Sequence, residues 1–220
     1  MSTRRAIAST KPAPCAKTPV YTPNTSPPAV TQLGEKSEAV RLGAVHALAG
    51  LADDAPISAL RQTCIEVLRA CLHLPYTAEV DLPADDARAR NTYLALREVR
   101  HTVIRVIRDR LRPEPGHPHS WAGLRFDFTG VTFDGGNFRG AKSSGATVDF
   151  SSAKFFDASV SFRGATFSGA KVTFRGATFS VATVDLSTAR GRPPSGLVPA
   201  SDKPLSDRLF LPPEWYPAKA

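Results

Sequence analysis

Cysteine is scarce. Three in 220 residues cannot build a disulfide framework. There is no Cys-x-x-Cys, and no His spacing near Cys64 and Cys71 supports zinc. No apolar run approaches the length of a bilayer-spanning helix. Met1-Ser-Thr-Arg-Arg is not followed by an apolar stretch of about 7–15 residues, so secretion by a signal peptide is not expected. The expected location is cytoplasmic. Acidic residues are missing from the first 33 positions, which carry four basic ones. There is no Gly-x-Ser-x-Gly elbow, no phosphate loop ending Gly-Lys-Ser/Thr and no Gly-x-Gly-x-x-Gly. His117 and His119 sit in a Pro-rich stretch with no Cys close in sequence, a weak candidate for a ligand role. No catalytic constellation, metal site or cofactor motif emerges, and the chain reads as a non-enzyme.

What is present is unevenly placed. Eleven of the twelve Phe fall between Phe126 and Phe179, and thirteen of the nineteen Pro fall in the first 33 or last 31 residues. The distribution predicts a structured middle between two tails. The formal net charge is +8, spread along the chain. Residues 122–190 hold eight basic and five acidic groups. Such an excess favours loose association with polyanions without defining a site.

From Phe138 the chain divides into units of twelve: FRGAKSSGATVD, FSSAKFFDASVS, FRGATFSGAKVT and FRGATFSVATVD, with a fifth beginning at Leu186. The first slot holds Phe138, Phe150, Phe162, Phe174 and Leu186, and Phe126 keeps the same spacing upstream. The sixth slot holds Phe155, Phe167 and Phe179, with Ser143 as the exception. The eleventh holds Val148, Val160, Val172 and Val184. Ala141, Ala153, Ala165 and Ala177 fill the fourth, and Ala146, Ala158, Ala170 and Ala182 the ninth. Apolar spacings of two and five exclude a helix. Short alternating strands broken at Arg-Gly and Ser-Gly corners predict a β-solenoid whose coils stack like on like. The expected core comprises these Phe and Val columns with Phe126, Phe133 and Leu186, and the Ala columns as small inward residues. Ser143 predicts a locally thinner core. Phe156 stands in a corner slot and is expected to be exposed or packed on a flanking segment. Asp149, Asp157 and Asp185 are expected at outward or corner positions, capping turns.

These units resemble the pentapeptide-repeat proteins of bacteria. Gly-Ala-Thr-Phe167-Ser, Gly-Ala-Thr-Phe179-Ser, Thr-Gly-Val-Thr-Phe133 and Asp-Gly-Gly-Asn-Phe138 fit that family's unit. The resemblance implies a right-handed, roughly four-sided β-helix of about twenty residues per coil. Here each Val-x-Phe step adds two residues, so a coil holds 24 residues if four-sided or 12 if flattened. The spacing leaves both open, and the resemblance favours four sides.

Residues 34–112 read as a helical module. Ser37 is placed as the cap of a helix to Ala52 whose apolar side takes Val40, Ala44, Val45, Leu48 and Leu51. It resembles one helix of a HEAT-type pair. A second helix, Ile57 to about Leu72, is expected to bury Leu60, Cys64, Val67, Leu68 and Cys71. A third, Asp86 to about Leu111, offers Leu96, Val99, Val103, Val106 and Ile107 on its apolar face. Arg90, Arg97, Arg100, Arg105, Arg108 and Arg112 form its opposite, basic surface. The expected organisation is a disordered Pro/Thr-rich basic tail (1–33), the helical module (34–112), a linker (113–121), the solenoid (122–190) and a Pro-rich C-terminal tail (191–220). Trp121 and Leu124 are expected to seal the first coil. Leu209-Phe210-Leu211 and Trp215-Tyr216 either cover the last coil or form a free interaction tail.

The function expected from this pattern is a non-catalytic interaction or scaffold protein with a protein partner. Nucleic-acid or anionic-membrane association through the basic N-terminus and helix 86–111 is the alternative. The resemblance also raises imitation of DNA toward type II topoisomerases. That mechanism needs an acidic surface, whereas residues 122–190 are net basic.

Overall fold

The computed structural model describes residues 28–75, 77, 79–113, 116–156, 159–180, 182–197 and 206–216. Most of the expected N-terminal tail, and Ala158 and Asp157 of the repeat, lie outside them.

Among the described residues four α-helices precede the strands: α1 (Pro28–Leu33), α2 (Glu38–Asp53), α3 (Ser58–Ala70) and α4 (Ala87–Leu111). Pro28–Leu33, expected in the tail, instead form a helical turn begun by proline, whose fixed φ suits a first helical position. Ser37 holds the N-cap place of α2 but its side chain makes no cap bond. The buried side of α2 is Ala44, Val45, Leu48, Ala49 and Ala52, while Val40 and Leu51 are exposed. The inward face therefore lies one position round from the aliphatic stripe, because a row of alanines lets the neighbouring helices approach closely. On α3, Ile65 and Leu68 are buried, and Leu60, Cys64 and Val67 are half-buried. Cys71 and Leu72 are buried in the short turn that follows. The Asp86 side chain accepts the Ala89 N–H at 2.9 Å and caps α4.

Ten short strands then wind into a solenoid of about three turns: β1 (Arg125–Asp127), β2 (Thr132–Phe133), β3 (Gly136–Asn137), β4 (Thr147–Asp149), β5 (Lys154–Phe156), β6 (Val160–Ser161), β7 (Lys171–Thr173), β8 (Thr178–Ser180), β9 (Val184–Asp185) and β10 (Leu209–Phe210). They form three parallel sheets, ordered β1-β4-β7, β2-β5-β8 and β3-β6-β9-β10. A fourth side has single bridges, Lys142 to Thr166 to Arg190, instead of strands. Thr147 pairs with Lys171, Lys154 with Thr178 and Val160 with Val184. Residues 24 apart are thus neighbours, and the coil is four-sided with two sequence units per turn.

The first coil is shorter. Arg125 pairs with Thr147 and Thr132 with Lys154, each 22 apart, while Gly136 pairs with Val160, 24 apart. Two residues are therefore missing between β2 and β3. This moves Phe126 out of the Phe column: it lies opposite Val148, and Phe128 takes the Phe slot. Both are buried.

The interior is three ring columns. Phe128, Phe150 and Phe174 stack at 5.0 and 4.7 Å, and Phe133, Phe155 and Phe179 at 5.1 and 5.2 Å. Phe138 and Phe162 stack at 5.0 Å, with Leu186 buried next in that series. Val148, Val160, Val172 and Val184 are buried, as are Phe167, Ala141, Ala146, Ala153, Ala165 and Ala182. Phe179, Ala170 and Ala177 are only half-buried, because they lie towards the C-terminal coil. Phe156 is half-buried opposite Ser180.

Corners follow one device. The last residue of a strand turns its side-chain oxygen back to the N–H two residues on. Asp127 accepts from Thr129 at 3.0 Å, Asn137 from Arg139 at 3.0 Å, Asp149 from Ser151 at 2.8 Å and Asp185 from Ser187 at 3.0 Å. One corner column is Gly130, Ser152 and Gly176, at φ 70°, 56° and 66°. Ser152 is the only non-glycine with positive φ among the described residues.

Both ends of the stack are covered. At the last coil Leu209 and Phe210 pair with Val184 and Asp185, and Trp215 donates its indole N–H to the Gly191 carbonyl at 3.1 Å. At the first coil the cover is chiefly α4. Ile107 and Leu111 line a small apolar void with Phe126, Phe128, Phe138 and Ser143. Ser143 in a Phe slot makes room for them. A side chain at Gly136 would meet Ile104 at 3.4 Å, so the missing Val makes room there too. Trp121 and Leu124 are both buried. One continuous core runs from Ala29 to Trp215.

Candidate functional site

The helix–solenoid junction gathers several ion pairs. Because α4 lies between the other helices and the first coil, residues from several of its faces are buried, and the six arginines proposed from periodicity meet different fates. Arg90 pairs with Glu79 at 3.4 Å on the surface. Arg100, expected on the basic surface, is 2% exposed. It donates to the Leu72 carbonyl at 2.8 Å and to the Thr132 carbonyl, joining the turn after α3 to β2. Arg112 donates to the Arg139 carbonyl at 3.2 Å.

Arg97, Arg105 and Arg108 stay together. With His101 they line a cleft of about 370 Å3 whose other wall is Gly135, Gly136, Asn137 and Ser159. The cleft opens where the two residues are missing between β2 and β3. Beneath it lies Asp134, 6% exposed. Its carboxylate accepts from Arg97 Nε at 3.2 Å, faces His101 Nε2 at 3.3 Å and receives the Tyr93 hydroxyl at 3.4 Å. Arg105 donates to Thr102 Oγ1 at 2.8 Å and lies 3.5 Å from Glu98. Arg108 meets Asp109 at 2.8 Å.

A second hub ties the linker down. Asp53, at the end of α2, accepts from Arg110 at 2.8 and 3.2 Å and from the Trp121 indole at 2.9 Å. Arg110 also stands over the Trp121 ring at 5.8 Å. Neither Asp53 nor Asp134 stands out in sequence. The shortened step from Phe133 to Phe138 does mark the cleft.

The outer faces of the solenoid carry in-register rows. Arg125, Thr147 and Lys171 form one row on the β1-β4-β7 side, beside Asp127, Asp149 and Thr173. Arg125, Thr147 and Lys171 are all exposed. Among the described residues no group of His, Cys, Asp and Glu is arranged to hold a metal ion, and no helix is long and apolar enough to cross a membrane.

No curated protein matches the chain. No solved structure matches it. Residues 128–178, beginning at the Phe that opens the first regular column, match the family model described as pentapeptide repeats (9 copies), and the solenoid segment is therefore similar to that family.

Proposed function

We propose that the chain is a non-catalytic interaction protein that presents the β1-β4-β7 side of its solenoid to a protein partner. The observation that carries this reading is the paired rows on that side: Arg125, Thr147 and Lys171 beside Asp127, Asp149 and Thr173. Strand pairing spaces the members of each row about 4.8 Å apart. The buried Phe126, Val148 and Val172 behind them, next to the Phe128, Phe150 and Phe174 column, hold the face in place, so little ordering entropy is lost on binding. Arg125 and Lys171 share the face with Asp127 and Asp149, and this mixture suits a protein surface of mixed charge better than a uniform polyanion.

The test is affinity purification of the intact chain beside an Arg125→Glu/Lys171→Glu variant and a Lys154→Glu control on the next side. The reading expects a partner that the wild type and the control retain and the double variant loses. Equal capture by all three overturns it.

A further inference from the structure

The cleft between α4 and the shortened first coil has a lining suited to an anion. Arg97, His101, Arg105 and Arg108 follow one another at helical spacings of four, four and three, so they form a single stripe on α4. Each is steadied by a neighbour: Asp134 holds Arg97 and His101, Thr102 holds Arg105, and Asp109 holds Arg108. These contacts occupy only some of the five N–H donors of each guanidinium. These neighbours fix the geometry before a ligand arrives. Among the described residues no carboxylate lines the cleft wall. Arg97, His101 and Arg108 are recessed, with side-chain exposures of 39%, 23% and 15%, and Arg105 stands at the rim at 47%. A duplex or a bilayer surface needs protruding cations, whereas a concave site takes a small molecule. Guanidinium forks match the paired oxygens of phosphate. Asn137 and Ser159 on the facing wall offer neutral polar groups to whatever the phosphate is esterified to.

We infer that this cleft binds the phosphate group of a small phosphomonoester, with Arg105 and Arg108 as the principal contacts and Arg97 and His101 completing the cradle. The inference does not depend on the partner surface proposed above, which lies on a different part of the solenoid.

The experiment is calorimetric titration of the full chain with glycerol 3-phosphate, AMP and inorganic phosphate, followed by duplex DNA. Saturable binding of at least one phosphomonoester is expected, with a raised melting temperature. Arg108→Gln should weaken it about tenfold, the worth of one charge-assisted hydrogen-bond set. Arg105→Lys keeps the charge and loses the fork, and should weaken it as well. Arg90→Gln, outside the cleft, should leave it unchanged. Inorganic phosphate binding as tightly as the esters supports a site that reads the phosphate alone. Three results overturn the inference: no saturable binding of any phosphate probe, undiminished binding by Arg105→Lys and Arg108→Gln, or binding of duplex DNA alone.

Discussion

Truncating Phe150 to alanine tests the ring columns directly. Phe150 is 1% exposed and its ring lies within 6.1 Å of six others. It stacks on Phe128 at 5.0 Å and on Phe174 at 4.7 Å, and meets Phe133, Phe138, Phe155 and Phe162 edge-on or tilted. Buried Phe→Ala changes cost about 3–5 kcal/mol, depending on how far the site collapses. Here collapse is resisted. The backbone is tied to the next coil, with the Phe150 N–H on the Thr173 carbonyl at 2.8 Å, and within its own corner, with the Ala153 N–H on the Phe150 carbonyl at 3.0 Å. The upper part of the range is therefore expected, and each kcal/mol lowers the melting temperature by about 2–4 °C in a chain of this size. Phe179→Ala is the comparison. Phe179 is half-buried and its ring stacks on Phe155, so about half the transfer energy of a full burial, near 1–1.5 kcal/mol, is at stake. The assay is urea unfolding followed by tryptophan fluorescence. Trp121 and Trp215 sit at opposite ends of the stack, so single-tryptophan versions report each end. Equal losses for the two substitutions, or a Phe150→Ala loss below about 1.5 kcal/mol, would refute the packing argument.

Other outcomes follow from single contacts. Ser152→Gly should stabilise the chain by about 0.5–1 kcal/mol in thermal unfolding, since a left-handed conformation costs L-residues about 1–2 kcal/mol and glycine returns part of that gain through its unfolded-state entropy. Arg100→Ala should cost about 2–4 kcal/mol, and Arg100→Lys should recover little of it, because an ammonium cannot serve the Leu72 and Thr132 carbonyls together. Burial pushes the Cys71 thiol up despite Arg41 and Arg100 nearby, and burial likewise raises Cys64. Both should alkylate far more slowly in the native chain than in urea, as mass spectrometry of the labelled peptides would show. Partial burial pushes the Asp127 carboxyl up, but hydrogen bonds from Thr129 and the charges of Arg69 and His73 outweigh it and hold the group below the usual carboxylate range. A lowered folded value stabilises above the unfolded pKa and loses that effect as pH falls through the folded one. The stability gap between wild type and Asp127→Asn should thus be widest near neutrality and close below about pH 4 in acid titrations.

The periodic parts of this molecule were legible in the sequence because periodicity reports stacking. A Phe at every twelfth position and a Val two residues before it specify inward columns whatever the coil length. Coil length was open, since twelve is compatible with either one turn or half a turn. Only the pairing of Thr147 with Lys171 decides it. Phe126 was placed in the wrong column because its spacing of twelve from Phe138 survives by coincidence. The coil is two residues short between Phe133 and Gly136, and Phe128 takes the slot. The fate of Arg100 was illegible for another reason. An amphipathic wheel assumes one buried side, while α4 is enclosed by α2 and the short turn Cys71–His73 on one side and by β3 on the other. Asp134 and Asp53 meet partners 37 and 57 positions away, and no local pattern announces such contacts.

Because the sequence unit is half the length of a lap, gain and loss of units have unequal consequences. Adding two units inserts a whole storey and leaves the C-terminal strand and Trp215 above the same sides as before. Adding one keeps every Phe and Val inward, yet swings everything downstream to the far side of the column. The terminal plug would then meet the wrong faces. A lineage of such chains should therefore change height in even steps.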